Sequence, residues 1–480
     1  MKFNIKNFAL LFLSAGFIMA GCSKGSSDAE PQELSSDNSL KRFSFQSSSN
    51  SSLSSSCTGY DGKGLVYVTV PEGVALTNLV PTFTVHEKAE VKADGKAVQS
   101  GVTAVDFSKT VTITVKAENG TSASYLVLVR NGNSRVDNKV YSFMLKHSIP
   151  GVSVAVSKDE ETVYAAGYGF ADKDTKERVT ENHLFRLASM SKQHAAIGIM
   201  TLYEKGLLDL DDTVFGEGGL LEDEFGNDMG SEWKRITLRD LLSHSAGISE
   251  DCIFPSVSGY SGMTVEQRIA RLLDRCAVPG YEIGRFSYNN SNFGILGKVV
   301  EAVSGKDFME FLKEEVYDPI EIYDIYAGAN DASDARDMEV TYYGQDGKNA
   351  YGNDVEAGVA AGGVIASTPA LMKLMAHLDY GTKVPDIFKK ETLDLMYTAK
   401  EGMKTSSGAA WDRYGLGWRV NYPDITSWAA YHGGTLAGVC TIWARSKRNV
   451  NGVVLCNSRS YSMDIDDEMW EMLEEIQNMY

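Results

Sequence analysis

The residues Asn131-Gly132-Asn133-Ser134 separate two stretches of chain with different hydrophobic periods. Before them, from about residue 42, short segments alternate apolar with polar or β-branched residues: LVYVTV (65–70), TFTVH (82–86), AEVKA (89–93), TVTITVKA (110–117) and SYLVLVR (124–130). A period of two puts one face of each segment on a core. Pro71-Glu72-Gly73, Asp94-Gly95 and Asn119-Gly120 supply the turns between them. Strands this short and this closely spaced predict an all-β sandwich over 42–132. No catalytic cluster falls within it.

After the divide, strand-like and helix-like segments alternate to the end of the chain. GVSVAVS (151–157) and ETVYAAGYGF (161–170) read as a strand pair around Lys158-Asp159-Glu160. A helix is expected from near Ser189 to Glu204, stopped by Gly206. TLRDLLSH (237–244), FGILGKVVEAVSG (293–305) and TPALMKLMAHLDYG (368–381) carry helical periodicity. YGLGWRV (414–420), GVCTIWARS (438–446) and NGVVLCNS (451–458) are strand-like, and DDEMWEMLEEIQNMY closes the chain as an acidic amphipathic helix. This pattern predicts one α/β (α+β) domain over 138–480.

The N-terminus reads as a processing segment. Lys2 and Lys6 precede an apolar run, Phe8 to Ile18, too short to span a bilayer. It ends in Met19-Ala20-Gly21-Cys22, which resembles the lipobox of bacterial lipoproteins. That assigns 1–21 to a signal peptide and Cys22 to lipidation, with a Ser/Asp/Glu/Gly-rich tether over 22–41. The expected location is the cell envelope, lipid-anchored at the outer membrane. A net charge of −18 excludes a nucleic-acid partner, which needs a basic face. Five further cysteines, at 57, 252, 276, 440 and 456, form no CxxC and no zinc spacing, so neither a metal nor another cofactor is expected. Cys440 and Cys456 flank a predicted hairpin turn; a cross-strand disulfide and two buried thiols both fit that placement.

The stretch RLASMSKQHAA (186–196) carries the chemistry. A serine hydroxyl needs a base within hydrogen-bond reach to act as a nucleophile. Residues three apart share a helix face, so Ser189 can meet Lys192, whereas Ser191 points about 100° away. A second SxxK, Ser231 to Lys234, sits among charged residues and reads as solvated surface. His194 is expected away from the Ser189 face.

Further motifs follow in order: IPGVSVAV (149–156), YGFAD (168–172), LFRLASMSKQ (184–193), LYEKGLLDLDD (202–212), ITLRDLLSHSAGI (236–248), FSYNNSNFGILGKVVEAVSG (286–305), AAGGVIAST (360–368) and YHGGTLAGV (431–439). Together they closely resemble the β-lactamase-related serine hydrolases: class C β-lactamases, D-Ala-D-Ala carboxypeptidases, D-aminopeptidases, and β-lactamase-fold esterases and acyltransferases. The N-terminal module, in turn, resembles immunoglobulin-like modules that follow lipoprotein tethers in Bacteroidetes surface proteins. The first resemblance implies an antiparallel sheet flanked by helices, plus a helical lobe, with the site in the cleft.

It also implies roles. Ser189 would be the acylated nucleophile and Lys192 its partner, with Tyr288 of Tyr288-Asn289-Asn290 sharing the proton relay and Asn290 binding substrate. Tyr351-Gly352-Asn353 repeats that pattern in a Gly/Asn/Asp loop and is discounted. Backbone N–H groups of Ser189 and Thr435 would form the oxyanion hole. His244 would be a structural helix end. Where the lactamases carry Lys-Thr/Ser-Gly, this chain has His432-Gly433-Gly434 as the substrate-binding strand positions. A mostly neutral histidine and a glycine without a hydroxyl weaken recognition of a β-lactam carboxylate.

The expected function is therefore serine hydrolysis through an acyl-enzyme on an ester or amide carbonyl. Esterase or acyltransferase action on a small acyl substrate, with an alcohol or amine acceptor, comes first. A β-lactamase, a D-Ala-D-Ala carboxypeptidase or D-aminopeptidase, and a catalytically silent envelope binding protein are the alternatives.

Overall fold

The computed structural model describes residues 33–254, 259–276, 280–400, 413–420 and 428–480; the expected signal peptide and Cys22 lie outside them. The N-terminal module is a β-sandwich. One sheet holds Cys57–Thr58, Arg42–Phe45 and Thr82–Thr84. The other has six strands, with Leu65–Val70 running parallel to Ser122–Asn131 and the remaining pairs antiparallel. The alternation in Val111–Lys116 buries Val111, Ile113 and Val115 against Phe43, Phe45 and Phe107. Those three rings pack edge to face at centroid separations of 5.1 to 6.1 Å. Part of the expected tether is not free. The Ser35 N–H donates to Glu118, the Leu40 N–H donates to the Tyr125 hydroxyl, and Leu40 is buried. Short serine and asparagine side chains conceal this packing, because the contacts are made by backbone groups.

The helix Ser134–His147 joins the two units. Asn133 caps its start by accepting from the Arg135 N–H, and Ser148 ends it in the left-handed region. The fully buried Asp137 on this helix accepts from Thr69 Oγ1 at 2.7 Å, Tyr164 Oη at 2.8 Å and Tyr168 Oη at 2.7 Å, and it pairs with Arg130. Tyr67 stacks on Tyr141 at 4.9 Å. Thr69, Tyr67 and Arg130 belong to module strands, so a buried polar cluster holds the module against the second domain.

The second domain is built on a seven-stranded antiparallel sheet. Its order is Glu177–Arg178, Glu161–Asp172, Gly151–Lys158, Val450–Cys456, Val439–Ser446, Trp428–Leu436 and Arg419–Val420. Every residue of Val450–Cys456 is buried, because helices cover both faces. Ser134–His147 and Ile465–Gln477 lie on one face; the helical lobe, centred on Ser191–Glu204 and Asn290–Ser304, lies on the other. Ser191–Glu204 is buried continuously from Ser191 to Leu202, as expected of a helix with apolar residues all round. Asn290–Ser304 starts on an Asn289 cap and stops at Gly305, whose φ of +68° is left-handed. Cys440 and Cys456 stand opposite each other in register as buried free thiols.

Candidate active site

Ser189 lies in a single 3₁₀ turn, Ala188–Met190, immediately ahead of the helix Ser191–Glu204. The periodicity placed it in the helix itself; the chain instead tightens by one turn first. Ala188 takes a φ of +50°, a conformation that costs a non-glycine residue about 1–2 kcal/mol. The neighbouring strand fixes this turn. Thr441 Oγ1 donates to the Leu187 carbonyl at 2.9 Å. A Cβ on Gly434 would lie 2.2 Å from that same carbonyl oxygen, so only glycine lets strand and turn approach.

Lys192 is fully buried and its ammonium donates three hydrogen bonds: to Ser189 Oγ at 3.3 Å, Asn290 Oδ1 at 2.7 Å and the Ala361 carbonyl at 2.6 Å. Three donors meet three acceptors. The Ala361 carbonyl is presented by a π-helical turn, Val359–Gly363, in which a Cβ on Gly363 would lie 2.0 Å from the Val355 carbonyl oxygen. That explains the second glycine of AAGGVIAST, Gly363.

Asn290 is oriented from behind. Its Nδ2 donates to Asp251 Oδ2 at 2.7 Å, which turns Oδ1 toward Lys192. Asp251 Oδ1 in turn accepts from the N–H groups of Ile253 and Phe254 at 2.9 and 3.0 Å. An ammonium only donates and a carboxylate only accepts, so the amide has one orientation. Sequence reasoning missed Asp251. Its place at the end of SHSAGISED gives no periodic signal.

Tyr288 is half-buried with its ring centroid 5.0 Å from Lys192 Nζ. His244 lies against that ring at 4.2 Å, and Tyr414 and His432 surround it at 6.5 and 6.2 Å. Three of the four expected residues, Ser189, Lys192 and Asn290, are thus joined by hydrogen bonds, and Tyr288 packs beside the ammonium.

His432 departs from expectation. It is 1% exposed and is not among the residues that line the cavity. Nδ1 donates to the Gly433 carbonyl at 2.6 Å, which leaves Nε2 to accept from the Tyr414 hydroxyl at 2.8 Å. Burial, reinforced by the nearby Arg419 and Lys192 cations, holds the imidazole well below its usual pKa, so it is neutral. Burial, then the neighbouring Tyr288, pushes the Tyr414 phenol well above its usual value, which keeps it a donor. A Cβ on Gly433 would face Thr441 and Trp470 rather than Ser189. His432 and Gly433 therefore present no substrate-facing side chain, and Tyr414, missed by sequence reasoning, holds His432 in place.

The other histidines of the region are structural. His244 Nδ1 accepts from the Asn289 N–H at 3.3 Å and bonds Asn292 Nδ2 at 2.9 Å. His194 is buried beside Tyr317, and burial lowers its pKa to about 3. Ser191 Oγ accepts from the Val364 N–H at 3.0 Å, while Ser231 and Lys234 are exposed.

A cavity of about 360 Å³ opens at Ser189, and Asn290, Thr435, Leu436, Lys348, Asn353 and Tyr461 are among its walls. Ser189 and Thr435, the expected oxyanion pair, line the same cavity. So does Asn353, from the discounted Tyr351-Gly352-Asn353. Among the described residues no group of His, Cys, Asp and Glu side chains could hold a metal ion.

A strained serine turn, a buried lysine and amide bonded to it, and a glycine-bearing strand beside it define a serine hydrolase of the β-lactamase type. The chain belongs to the Beta-lactamase family, whose model matches residues 136–474. Residues 56–129 match the model described as SGBP, N-terminal. Penicillin-binding protein 4* of Bacillus subtilis (strain 168) is 28% identical over 178 residues, which is 36% of this chain and 37% of that protein. The chain thus matches well under half the length of that relative. Among solved structures, the D-amino acid amidase of Ochrobactrum anthropi SV3 aligns at TM-score 0.57 and 21% identity, over 72% of this chain and 99% of that one. EstCE1, described as a hydrolase with promiscuous acyltransferase activity, aligns at TM-score 0.53 and 20% identity, over 70% and 98%. These likenesses extend across the second domain and establish its fold.

Proposed function

We propose that this enzyme is an esterase or acyltransferase that works through an acyl-enzyme at Ser189. The observation that carries this reading is the Lys192 ammonium bonded at once to Ser189 Oγ, Asn290 Oδ1 and the Ala361 carbonyl. With its three protons committed, Lys192 holds the hydroxyl and favours charge on its neighbours, and Tyr288 is the group left to take the serine proton.

With Tyr288 acting as the phenolate, Ser189 Oγ forms a bond to the ester carbonyl carbon as its proton passes to the Tyr288 oxygen. The carbonyl oxygen becomes an oxyanion, held by the N–H groups of Ser189 and Thr435; each such donor lowers the barrier by about 3 kcal/mol. The carbon–oxygen bond to the alcohol breaks, and the alcohol departs with the proton from Tyr288. Water, or an alcohol or amine acceptor, then gives its proton to the Tyr288 phenolate and bonds the acyl carbon; the bond to Ser189 Oγ breaks, and Oγ takes that proton back from Tyr288, restoring hydroxyl and phenolate.

Esters are favoured over β-lactams because the strand position that would meet a lactam carboxylate is a buried neutral His432 followed by Gly433. The test is a panel of short-chain 4-nitrophenyl esters, nitrocefin and a D-Ala-D-Ala peptide, with and without an alcohol acceptor. Ester turnover above nitrocefin turnover supports the reading; the reverse order overturns it. The same proposal includes anchoring through diacylglycerol on Cys22. Radiolabelled palmitate should enter the native chain and be absent from Cys22→Ser; equal labelling would contradict it.

A further inference from the structure

The Ser189 cavity contains a cation that the proton relay does not use. Lys348 lines it together with Thr435, Leu436, Asn353 and Tyr461, and among the described residues Lys348 forms no ion pair. Its ammonium lies 5.7 Å from the Tyr461 ring centroid. The turn that carries it is held firmly. The Lys348 N–H donates to the Gln345 carbonyl at 3.0 Å, and Gln345 Nε2 donates to Ser458 Oγ at 3.0 Å. Asp346, the nearest carboxylate in sequence, is occupied instead with the Tyr461 N–H at 2.6 Å, the Ser462 N–H at 3.1 Å and Ser460 Oγ at 3.1 Å. Arg459 beside Thr435 is neutralised by a two-point pair with Asp466 at 2.8 and 2.9 Å. Among the described residues lining the cavity, Lys348 is therefore a cation with charge available to a ligand.

Its position along the strand gives direction. Along this strand His432 lies beside Tyr288, and Leu436 borders the Lys348 end, about 13 Å farther along at the usual rise per strand residue. The leaving group receives its proton at the Tyr288 end, where Arg419 lies 5.8 Å from the ring centroid. The Lys348 end is left for the acyl chain.

We propose that Lys348 recognises an anionic group on the acyl part of the substrate, making acids with a second, free carboxylate the acyl class this site selects. This rests on the acyl-enzyme reading above. An ammonium–carboxylate contact in a partly enclosed cavity contributes enough to change selectivity about tenfold.

Three esters test it: 4-nitrophenyl hydrogen adipate, 4-nitrophenyl hexanoate and 4-carboxyphenyl hexanoate. The expected result is a kcat/KM ratio of adipate to hexanoate above one in the native enzyme, falling about tenfold in Lys348→Met and partly restored in Lys348→Arg. A ratio unmoved by Lys348→Met overturns the assignment, as does a fall confined to the carboxyphenyl ester, which would put the anion on the leaving group. Both outcomes leave Ser189 acylation intact. Failure of all three esters to acylate Ser189 in the native enzyme overturns the reading beneath it.

Discussion

The Tyr414 hydroxyl donates to His432 Nε2 at 2.8 Å inside a fully buried pair, and both rings border Tyr288. The strand position that carries a cation in the lactamases is thereby turned into a neutral support for the phenol. Tyr414→Phe should leave Nε2 buried without a donor, costing about 1–3 kcal/mol of stability. It should also lower kcat roughly tenfold with little change in KM, because His432, which borders Tyr288, is no longer held in place by the Tyr414 hydroxyl. Denaturant midpoints and steady-state kinetics check both; an unchanged kcat would contradict the support role.

Asp251 acts on Lys192 through Asn290. In Asp251→Asn, one side-chain position becomes an N–H donor facing another donor, so the Asn290 amide is no longer held with Oδ1 toward Lys192. The predicted outcome is a loss of about ten- to a hundredfold in kcat/KM with the fold retained. Circular dichroism and ester kinetics together decide it. Full activity with a native spectrum would remove Asp251 from the site.

Asp137 is the one carboxylate buried in the joint between module and enzyme domain among the groups described there. Asp137→Ala strands the Arg130 guanidinium and the Thr69, Tyr164 and Tyr168 hydroxyls. Breaking a buried pair by removing one partner costs about 3–5 kcal/mol. Limited proteolysis should then cut between the two units, and the urea midpoint should fall. Unchanged cleavage and midpoint would show that the cluster adds nothing to docking.

Three buried histidines set the pH dependence of stability. His194, held at about 3, and His244 and His432, both held well below the usual range, are neutral when folded and have ordinary values when unfolded. As pH drops below about 6.5, the unfolded chain binds protons that the folded chain does not, so stability falls. Each histidine adds a slope of about 1.4 kcal/mol per pH unit. Asp386, raised by burial to about 6, opposes one of the three between its unfolded value and that pH. Urea midpoints should therefore fall from pH 7 to pH 5; a midpoint that rises over that range would contradict the assignment.

Local patterns made much of the fold legible. Alternation marked Leu65–Val70 and Val111–Lys116, and helical periodicity over 293–305 marked most of Asn290–Ser304. The Ser189–Lys192 relation was legible because it is made within four residues. Asp251 and Tyr414 were not, because each acts through contacts with residues far away in sequence, fixed only when strand, loop and helix pack together. Asn353 was set aside for its loop composition, yet that loop folds back to wall the cavity. His432 illustrates the converse. Its position in the motif was visible, but which way its side chain faces depends on Tyr414 and the pleat of Trp428–Leu436.

The central claim is that Ser189 is the acylated residue, and intact mass spectrometry with peptide mapping tests it most directly. After incubation with a fluorophosphonate, the native enzyme should gain one adduct, carried on the peptide that contains Ser189, and Ser189→Ala should gain none. An unmodified native enzyme, or an equal adduct on Ser189→Ala, would contradict the account.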